Sequence, residues 1–402
     1  MMKSRKLIGL DMGTGAVKGV LWDSSGAVEA TAERPVPLSR PAEGHVEIDA
    51  AAYEALVVSL LRDLADASSA PIDAISMAAA SGNTLLCDAE ANPLTPIISW
   101  LDTRLDWCPP PEWNVREVTG WPPGNLMTPM HLEHFRRSAP EMLKGGIVAM
   151  NNDWLCWRLC GVHALDLSTA TTFYLCNQTE ERYEQRYLDH YGLTAAQLPK
   201  LVSTGTPVGK LLPRWAGGNL TTGTAVVAGS FDHPAAARAA GVLHAGELLL
   251  SCGTSWVGFL PYPDRARVPM SLLCDPFLSQ GGEGGCWGAM FSLTAAGLRL
   301  EEFIVGQFGR EAGRYDRFND EALLEGTASN TFAMELLAEL KKALAATGAA
   351  PRQAVFCGGP SRGKAWAPLL EKTLGIPIRP SAYKTSTGAV GAAMIALQGI
   401  QQ

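Results

Sequence analysis

Leu7-Ile8-Gly9-Leu10-Asp11-Met12-Gly13-Thr14-Gly15-Ala16-Val17-Lys18-Gly19-Val20-Leu21-Trp22-Asp23 is the stretch on which the reading of this chain turns. An apolar run leads to Asp11, a tight turn follows at Gly13-Thr14-Gly15, and a second apolar run reads as a returning strand. Glycine at 13 and 15 allows positive φ and a close approach of backbone to a ligand. Such a turn gathers N–H groups and the Thr14 hydroxyl on one point in space, which suits a phosphate. Lys18 adds positive charge from the second strand. Asp11 repels a phosphate unless a divalent cation lies between them, the position Mg²⁺ takes between carboxylates and nucleotide phosphates. The same letters also make a plain hairpin with no ligand.

A second copy separates the two readings. Ser251-Cys252-Gly253-Thr254-Ser255-Trp256-Val257-Gly258-Phe259-Leu260 repeats the pattern of Asp11 to Val20, with Gly253 on Gly13, Thr254 on Thr14 and Val257 on Val17, each 240 residues on. Each copy follows an apolar run, Leu7-Ile8-Gly9-Leu10 or Leu248-Leu249-Leu250. Two phosphate-type hairpins, each opening about half of the chain, imply a duplicated domain with nucleotide held in a cleft between the halves.

A length of 402 residues accommodates two domains with full cores. Hydrophobic content of 47% and 18% charged residues are ordinary for a folded enzyme. A net charge of −7 argues against a nucleic-acid or anionic-membrane surface. Nine scattered cysteines, an odd number, make no disulfide framework and fit a reducing cytoplasm. No run reaches the roughly 18 apolar residues of a membrane span. The expected location is cytoplasmic.

The order of motifs resembles that of the FGGY family of carbohydrate kinases, within the superfamily of hexokinase and actin. Asp11-Met12-Gly13-Thr14-Gly15 and Cys252-Gly253-Thr254-Ser255 resemble its two phosphate motifs. Gly229-Ser230-Phe231-Asp232-His233 resembles the segment of its catalytic aspartate, and Gly358-Gly359-Pro360 its adenosine motif. Ile97 to Arg104 is similar to the family's Trp-x-Asp-x-Arg stretch, Asn151-Asn152-Asp153-Trp154-Leu155 to its Asp-Tyr-Leu element, and Asp166 to Tyr174 to its Asp-x-Ser-x-Ala-x-x-Thr stretch. The resemblance implies an α/β fold of two ribonuclease H-like (actin-like ATPase) domains with a central cleft. Residues 1–243 form the sugar- and phosphate-binding half and 244–402 a shortened nucleotide-binding half.

It also implies an ATP-dependent kinase that uses Mg²⁺ to phosphorylate a small sugar or polyol, such as a ketose, on a primary hydroxyl. Asp232 is then the general base, because a sugar hydroxyl attacking the γ-phosphate must lose its proton; a helix cap is its simpler role. Asp11 and Asp232 would hold the metal. Gly13, Thr14, Gly15, Lys18, Gly253, Thr254, Gly358 and Gly359 would hold ATP. Asn83, Trp100, Asp102, Arg104 and Asp153 would line the sugar with Asp232, although Asp153 is also placed to cap its own helix. The partners are ATP and a small neutral sugar or polyol, with no nucleic acid and no membrane; a homodimer is the higher-order state allowed.

The departures bear on substrate and turnover. Xylulokinase-like members carry Gln-Met-His-Gly, and glycerol kinases an Arg-Glu pair, where this chain has Ala80-Ser81-Gly82-Asn83. Gly82 predicts a roomier pocket there, and Asn83 suits a neutral ligand. Pro360 replaces a usual glycine, Gly363 a usual serine or asparagine, and His233 a usual glutamine. These changes and the shortened second half keep an alternative open, a degenerate kinase that senses sugar and nucleotide without turnover. Prolines 109, 110, 111, 122 and 123 predict an irregular excursion. Asp49 is the expected N-cap of a helix through Ala67.

Overall fold

The computed structural model describes residues 4–80, 82–122, 124, 127–280 and 285–401; Ser81 and Pro123, singled out above, lie outside them. The chain divides into two units. Among the described residues, the first holds those of 1–235, Gln280 and those of 388–402, and the second holds 236–279 and 285–387.

The first unit is built on a six-stranded sheet of β1 (Lys6–Met12), β2 (Ala16–Asp23), β3 (Val28–Pro35), β4 (Ala74–Ala79), β5 (Pro207–Lys210) and β6 (Ala225–Phe231). Their order is β5-β6-β4-β1-β2-β3. β1, β2 and β3 form an antiparallel meander, while β4 and β6 continue the sheet parallel to β1. The sheet of the second unit uses β7 (Glu247–Cys252), β8 (Trp256–Tyr262), β9 (Leu273–Asp275), β10 (Trp287–Leu293), β11 (Gln353–Gly358) and β12 (Ile378–Pro380), in the order β9-β10-β8-β7-β11-β12. β7, β8 and β10 repeat the meander, and β11 and β12 repeat the two parallel strands. The duplication read from the sequence is a duplication of this five-strand plan, with β5 and β9 as extra edges.

The repeat slips by one residue at the turn. Met12 pairs with Val17 in the first hairpin, but Cys252 pairs with Trp256 in the second. The counterpart of buried Val17 is therefore buried Trp256, not Val257. The second turn is a residue tighter, closed by the Gly253 N–H donating to the Ser255 carbonyl at 3.1 Å. A slip of one residue would turn the apolar set to the wrong face, and the shorter turn compensates for it.

Glycines in the first hairpin fix its packing on both faces. Leu10 and Gly19 are register partners, and Gly9 points to the opposite face. Helix Ala50–Asp66 covers one face, with Asp49 accepting from the Ala52 N–H at 2.7 Å as its N-cap, as the sequence predicts. A Cβ at Gly19 would meet Leu60 Cδ2 at 2.4 Å. On the other face lies helix Thr387–Gln401, so close that a Cβ at Gly9 would fall 1.9 Å from the Ala389 carbonyl oxygen. The sequence reading assigns this last helix to the second half, and its boundary at 243. The helix packs instead within the first unit, because its small residues let backbone approach on two sides: Ala389 and Ala393 lie against Gly9, and a Cβ at Gly391 would fall 1.9 Å from the Ala235 carbonyl oxygen.

Two helices lie where the sequence showed little pattern. Met127–Ser138 follows the proline-rich excursion, and Arg314–Ala322 follows helix Ala296–Phe308.

Candidate active site

β1, β4 and β6 run parallel, so their C-terminal ends lie on one edge of the first sheet, where ligands bind in open α/β sheets. Asp11 sits near the end of β1, and Asp232 opens helix Asp232–Ala240 directly after β6. The end of β6 is fixed from behind by Ser168. Its hydroxyl oxygen accepts from the Phe231 N–H at 3.2 Å and lies 3.1 Å from the Ser230 hydroxyl. Ser168 belongs to helix Leu167–Phe173, capped by Asp166 through the Thr169 N–H at 2.7 Å. The sequence marked this stretch without assigning Ser168 a role.

The Asp232 side chain is 23% exposed. Burial pushes its carboxyl up to about 7, against the His233 N–H that donates to Oδ1 at 2.7 Å. Burial also raises Asp11 to about 6; the charge of Asp232 adds to the rise and Lys18 opposes it. Lys18 is the register partner of Asp11, and Glu33 of Lys18, which sets a row of charges across three strands. Burial lowers His233 to about 4, so its imidazole is neutral at pH 7. Two carboxyls next to a neutral ring make an anionic site whose proton affinity lies near neutrality.

The two carboxylates fit a small hard cation, since Mg²⁺ is held by one or two carboxylates with phosphate and water completing its octahedron. Among the described residues no group of three or more His, Cys, Asp or Glu side chains could hold a metal alone.

The phosphate turn lies beside this pair in the fold of the first sheet. Neither Gly13 nor Gly15 takes the positive φ that the sequence reading allowed for. A Cβ at Gly15 would meet nothing within 4 Å, so that side of the turn is open. The Thr14 Oγ1 accepts from the Trp100 Nε1–H at 2.7 Å, and the Trp100 backbone N–H donates to Asn83 Oδ1 at 3.0 Å. Asn83, Trp100 and Thr14 thus form one chain. Gly82 does not widen the pocket: its φ is +70°, and a Cβ there would lie 2.7 Å from Met127 Cβ. Met127 fills the space expected to be empty, and the Tyr174 hydroxyl donates to its sulfur at 3.0 Å.

The other sugar-side candidates are bonded elsewhere. Asp102 accepts from the Val46 N–H at 2.6 Å and from Arg104 Nε at 2.8 Å, while Arg104 Nη2 reaches Glu47 Oε1 at 2.7 Å. Burial alone would raise the Asp102 carboxyl, but these bonds more than offset it and hold it below the usual range. The pair ties its loop to strand Glu47–Ile48. Asp153 is buried, with its oxygens on the Met150 N–H at 2.8 Å and His163 Nε2 at 2.7 Å. It caps helix Asn151–Cys160 and braces His163, whose ring stacks on Trp157.

The second unit contains a pocket of about 630 Å³. The turn at Cys252–Thr254 forms one end, and Gly297 sits against it so tightly that a Cβ there would fall 1.9 Å from the Gly253 carbonyl oxygen. Helix Ala296–Phe308 then lines the wall through Gly297, Glu301 and Ile304. At 1.5 Å per residue, Glu301 lies about 6 Å and Ile304 about 10 Å along the axis from the turn. Leu300, Ile304, Phe318 and Trp366 make the floor apolar. Glu301 accepts from the Tyr315 hydroxyl at 2.6 Å and from Arg314 Nη2 at 3.2 Å.

Gly359 flanks the pocket with open space about it. Gly358 has φ +92°, and a Cβ there would meet the Cys252 carbonyl oxygen at 2.2 Å, so glycine is required by the fold. Asn319 occupies the space beside Gly363 and joins the Tyr315 carbonyl to the Ala365 N–H, at 2.6 and 3.2 Å. None of Glu301, Tyr315, Asn319 and Trp366 was a sequence candidate, since helix pattern alone does not reveal which faces meet in a pocket.

Residues 6–238 match the model of the N-terminal domain of the FGGY family of carbohydrate kinases, and the chain belongs to that family. It is similar to the xylulose kinase of Bacillus subtilis (strain 168), 29% identical over 264 residues, covering 62% of this chain and 52% of that protein. The xylulose kinase of Escherichia coli (strain K12) is 30% identical over 275 residues, 64% of this chain and 56% of that one. The chain thus spans about half the length of these relatives. Its fold is that of a ligand-bound xylulose kinase from Lactobacillus acidophilus, with a TM-score of 0.85 at 17% identity, covering 99% of this chain and 90% of the other. Among the described residues no helix is long and apolar enough to cross a membrane.

Proposed function

We propose that this protein transfers the γ-phosphate of ATP, with Mg²⁺, to a primary hydroxyl of a small neutral ketose or polyol such as a pentulose. The observation that carries the reading is the Asp11–Asp232 pair, with Asp232 shifted to about 7 at the open end of parallel strands. A carboxylate of that basicity accepts a hydroxyl proton near neutral pH far better than an ordinary aspartate. Asp232 binds the sugar through that hydroxyl and takes its proton as the oxygen attacks. Asp11 and Asp232 would hold the cation, which would supply charge neutralisation at the phosphates.

Thr14 and the N–H groups of Gly13 and Gly15 face the phosphates, with Lys18 adding charge. In the second unit the phosphates lie at Gly253 and Thr254, the ribose near Glu301, and the base over Leu300, Ile304 and Trp366. Gly359 leaves room at its edge. Asn83 and Trp100 face the sugar, while Asp102, Arg104 and Asp153 act on it by fixing the loops around it. No covalent intermediate is needed, because positioning and charge neutralisation supply the rate. The location this implies is the cytoplasm, where ATP is available.

The test is an ADP-release screen against xylulose, ribulose, fuculose, rhamnulose, erythrulose, glycerol and gluconate. Turnover with a neutral ketose or polyol supports the reading. Best use of gluconate overturns the neutral pocket, and sugar binding by calorimetry without ADP release identifies a sensor.

A further inference from the structure

Trp100 stands in the sugar-side loop and Thr14 in the phosphate turn, yet the indole Nε1–H donates to Thr14 Oγ1 at 2.7 Å. An indole nitrogen can only donate, so the threonine oxygen is the acceptor and the hydroxyl hydrogen must point elsewhere. Beside Thr14 the turn is open at Gly15, where a Cβ would touch nothing within 4 Å. The Trp100 backbone is itself held by its N–H on buried Asn83, and a Cβ at Gly82 would lie 3.2 Å from Trp100 Cβ.

We propose that Trp100 is a positioning residue for phosphoryl transfer: by taking up the Thr14 oxygen, it turns the Thr14 hydroxyl hydrogen toward the phosphate. This rests on the kinase reading above. A free threonine hydroxyl samples three rotamers, and fixing one before phosphate arrives removes that reorganisation from the reaction.

Trp100→Phe keeps an aromatic ring, smaller than the indole, and removes the N–H. It lowers kcat about tenfold, the effect of one hydrogen bond. Thr14→Val costs more, Thr14→Ser recovers most of that loss, and the double variant W100F/T14V is no slower than T14V alone, since the indole acts through the hydroxyl. Losses that multiply in the double variant, or an unchanged kcat in W100F, overturn the proposal.

A second readout does not depend on turnover. In a ¹⁵N-indole spectrum, the resonance missing from W100F belongs to Trp100. It shifts in T14V and returns toward its wild-type position in T14S; an unmoved resonance in T14V overturns the bond itself. If the wild type turns over no sugar, the kinase reading falls and this spectrum still decides the Trp100–Thr14 link.

Discussion

Gly388 stands against Asp11: a Cβ at residue 388 would fall 2.6 Å from Asp11 Oδ2. The residue lies in the first turn of helix Thr387–Gln401, which a 3₁₀ turn over Lys384–Ser386 enters directly.

Gly388→Ala therefore displaces the Asp11 carboxylate. The expected result is a kcat at least tenfold lower, with a stability loss of about 1–3 kcal/mol typical of overpacking. Steady-state kinetics with a thermal melt checks it. An unaltered kcat with a lowered melting temperature would remove Asp11 from the reaction.

Asp232→Asn retains shape and loses proton acceptance, so kcat falls by about 10²- to 10⁴-fold while calorimetric binding of the sugar changes little and Mg²⁺-dependent binding of ATP weakens. A variant that kept a third of wild-type kcat would make Asp232 a helix cap and place the base elsewhere.

Asp232 at about 7 and Asp11 at about 6 bind protons in the folded state that the unfolded chain, near 3.8, releases. The folded state then holds the more protons between about pH 4 and 7, so stability declines as pH rises through that window. Activity moves the other way, since Asp232 accepts a proton only when ionised, and kcat declines as pH drops below about 7. Without nucleotide or Mg²⁺, D232N is more stable than wild type at pH 8 by on the order of 2–4 kcal/mol, and the difference vanishes near pH 4. Denaturant melts at both pH values measure it; equal stability at pH 8 contradicts the raised carboxyl.

Thr254→Val removes a hydroxyl from the end of the second unit's pocket. KM for ATP rises or kcat falls, and KM for the sugar stays near wild type. An effect confined to the sugar would put this hairpin in another role.

Arg104 has a side chain only 6% exposed and bonded to both Asp102 and Glu47. Arg104→Met leaves Asp102 buried without its cation, at a cost of about 3–5 kcal/mol. The expected signature is a large drop in the denaturant midpoint, with the sugar's KM altered through the Trp100 loop.

The hairpins were legible because each needs a local apolar run, a turn and a return, and the Asp49 cap because it acts over three residues. The one-residue slip at Trp256 was not, since register is decided by which side chains reach the core. Gly82 shows the same limit in reverse. Its backbone conformation calls for glycine, but only the fold brings Met127 into the space a side chain would have taken. Asp102 and Arg104 read as ligand groups because a buried ion pair and a binding pair use the same residue types. The small residues Gly388, Ala389, Gly391 and Ala393 were in plain view, but their partners, Asp11, Gly9 and Ala235, lie far away in the sequence.

That last helix has a consequence for synthesis. The chain leaves the first unit after residue 235, comes back to it at Gln280, and returns at 388 to finish what it began. As the polypeptide leaves the ribosome, Gly9 of β1 stays uncovered until helix Thr387–Gln401 emerges, so the half begun first is closed only after the second unit has been made. Domains usually fold in order of synthesis, and here the inserted half is the one able to do so. A chain stopped after residue 387 should show the second unit protected from protease and the first unit cleaved.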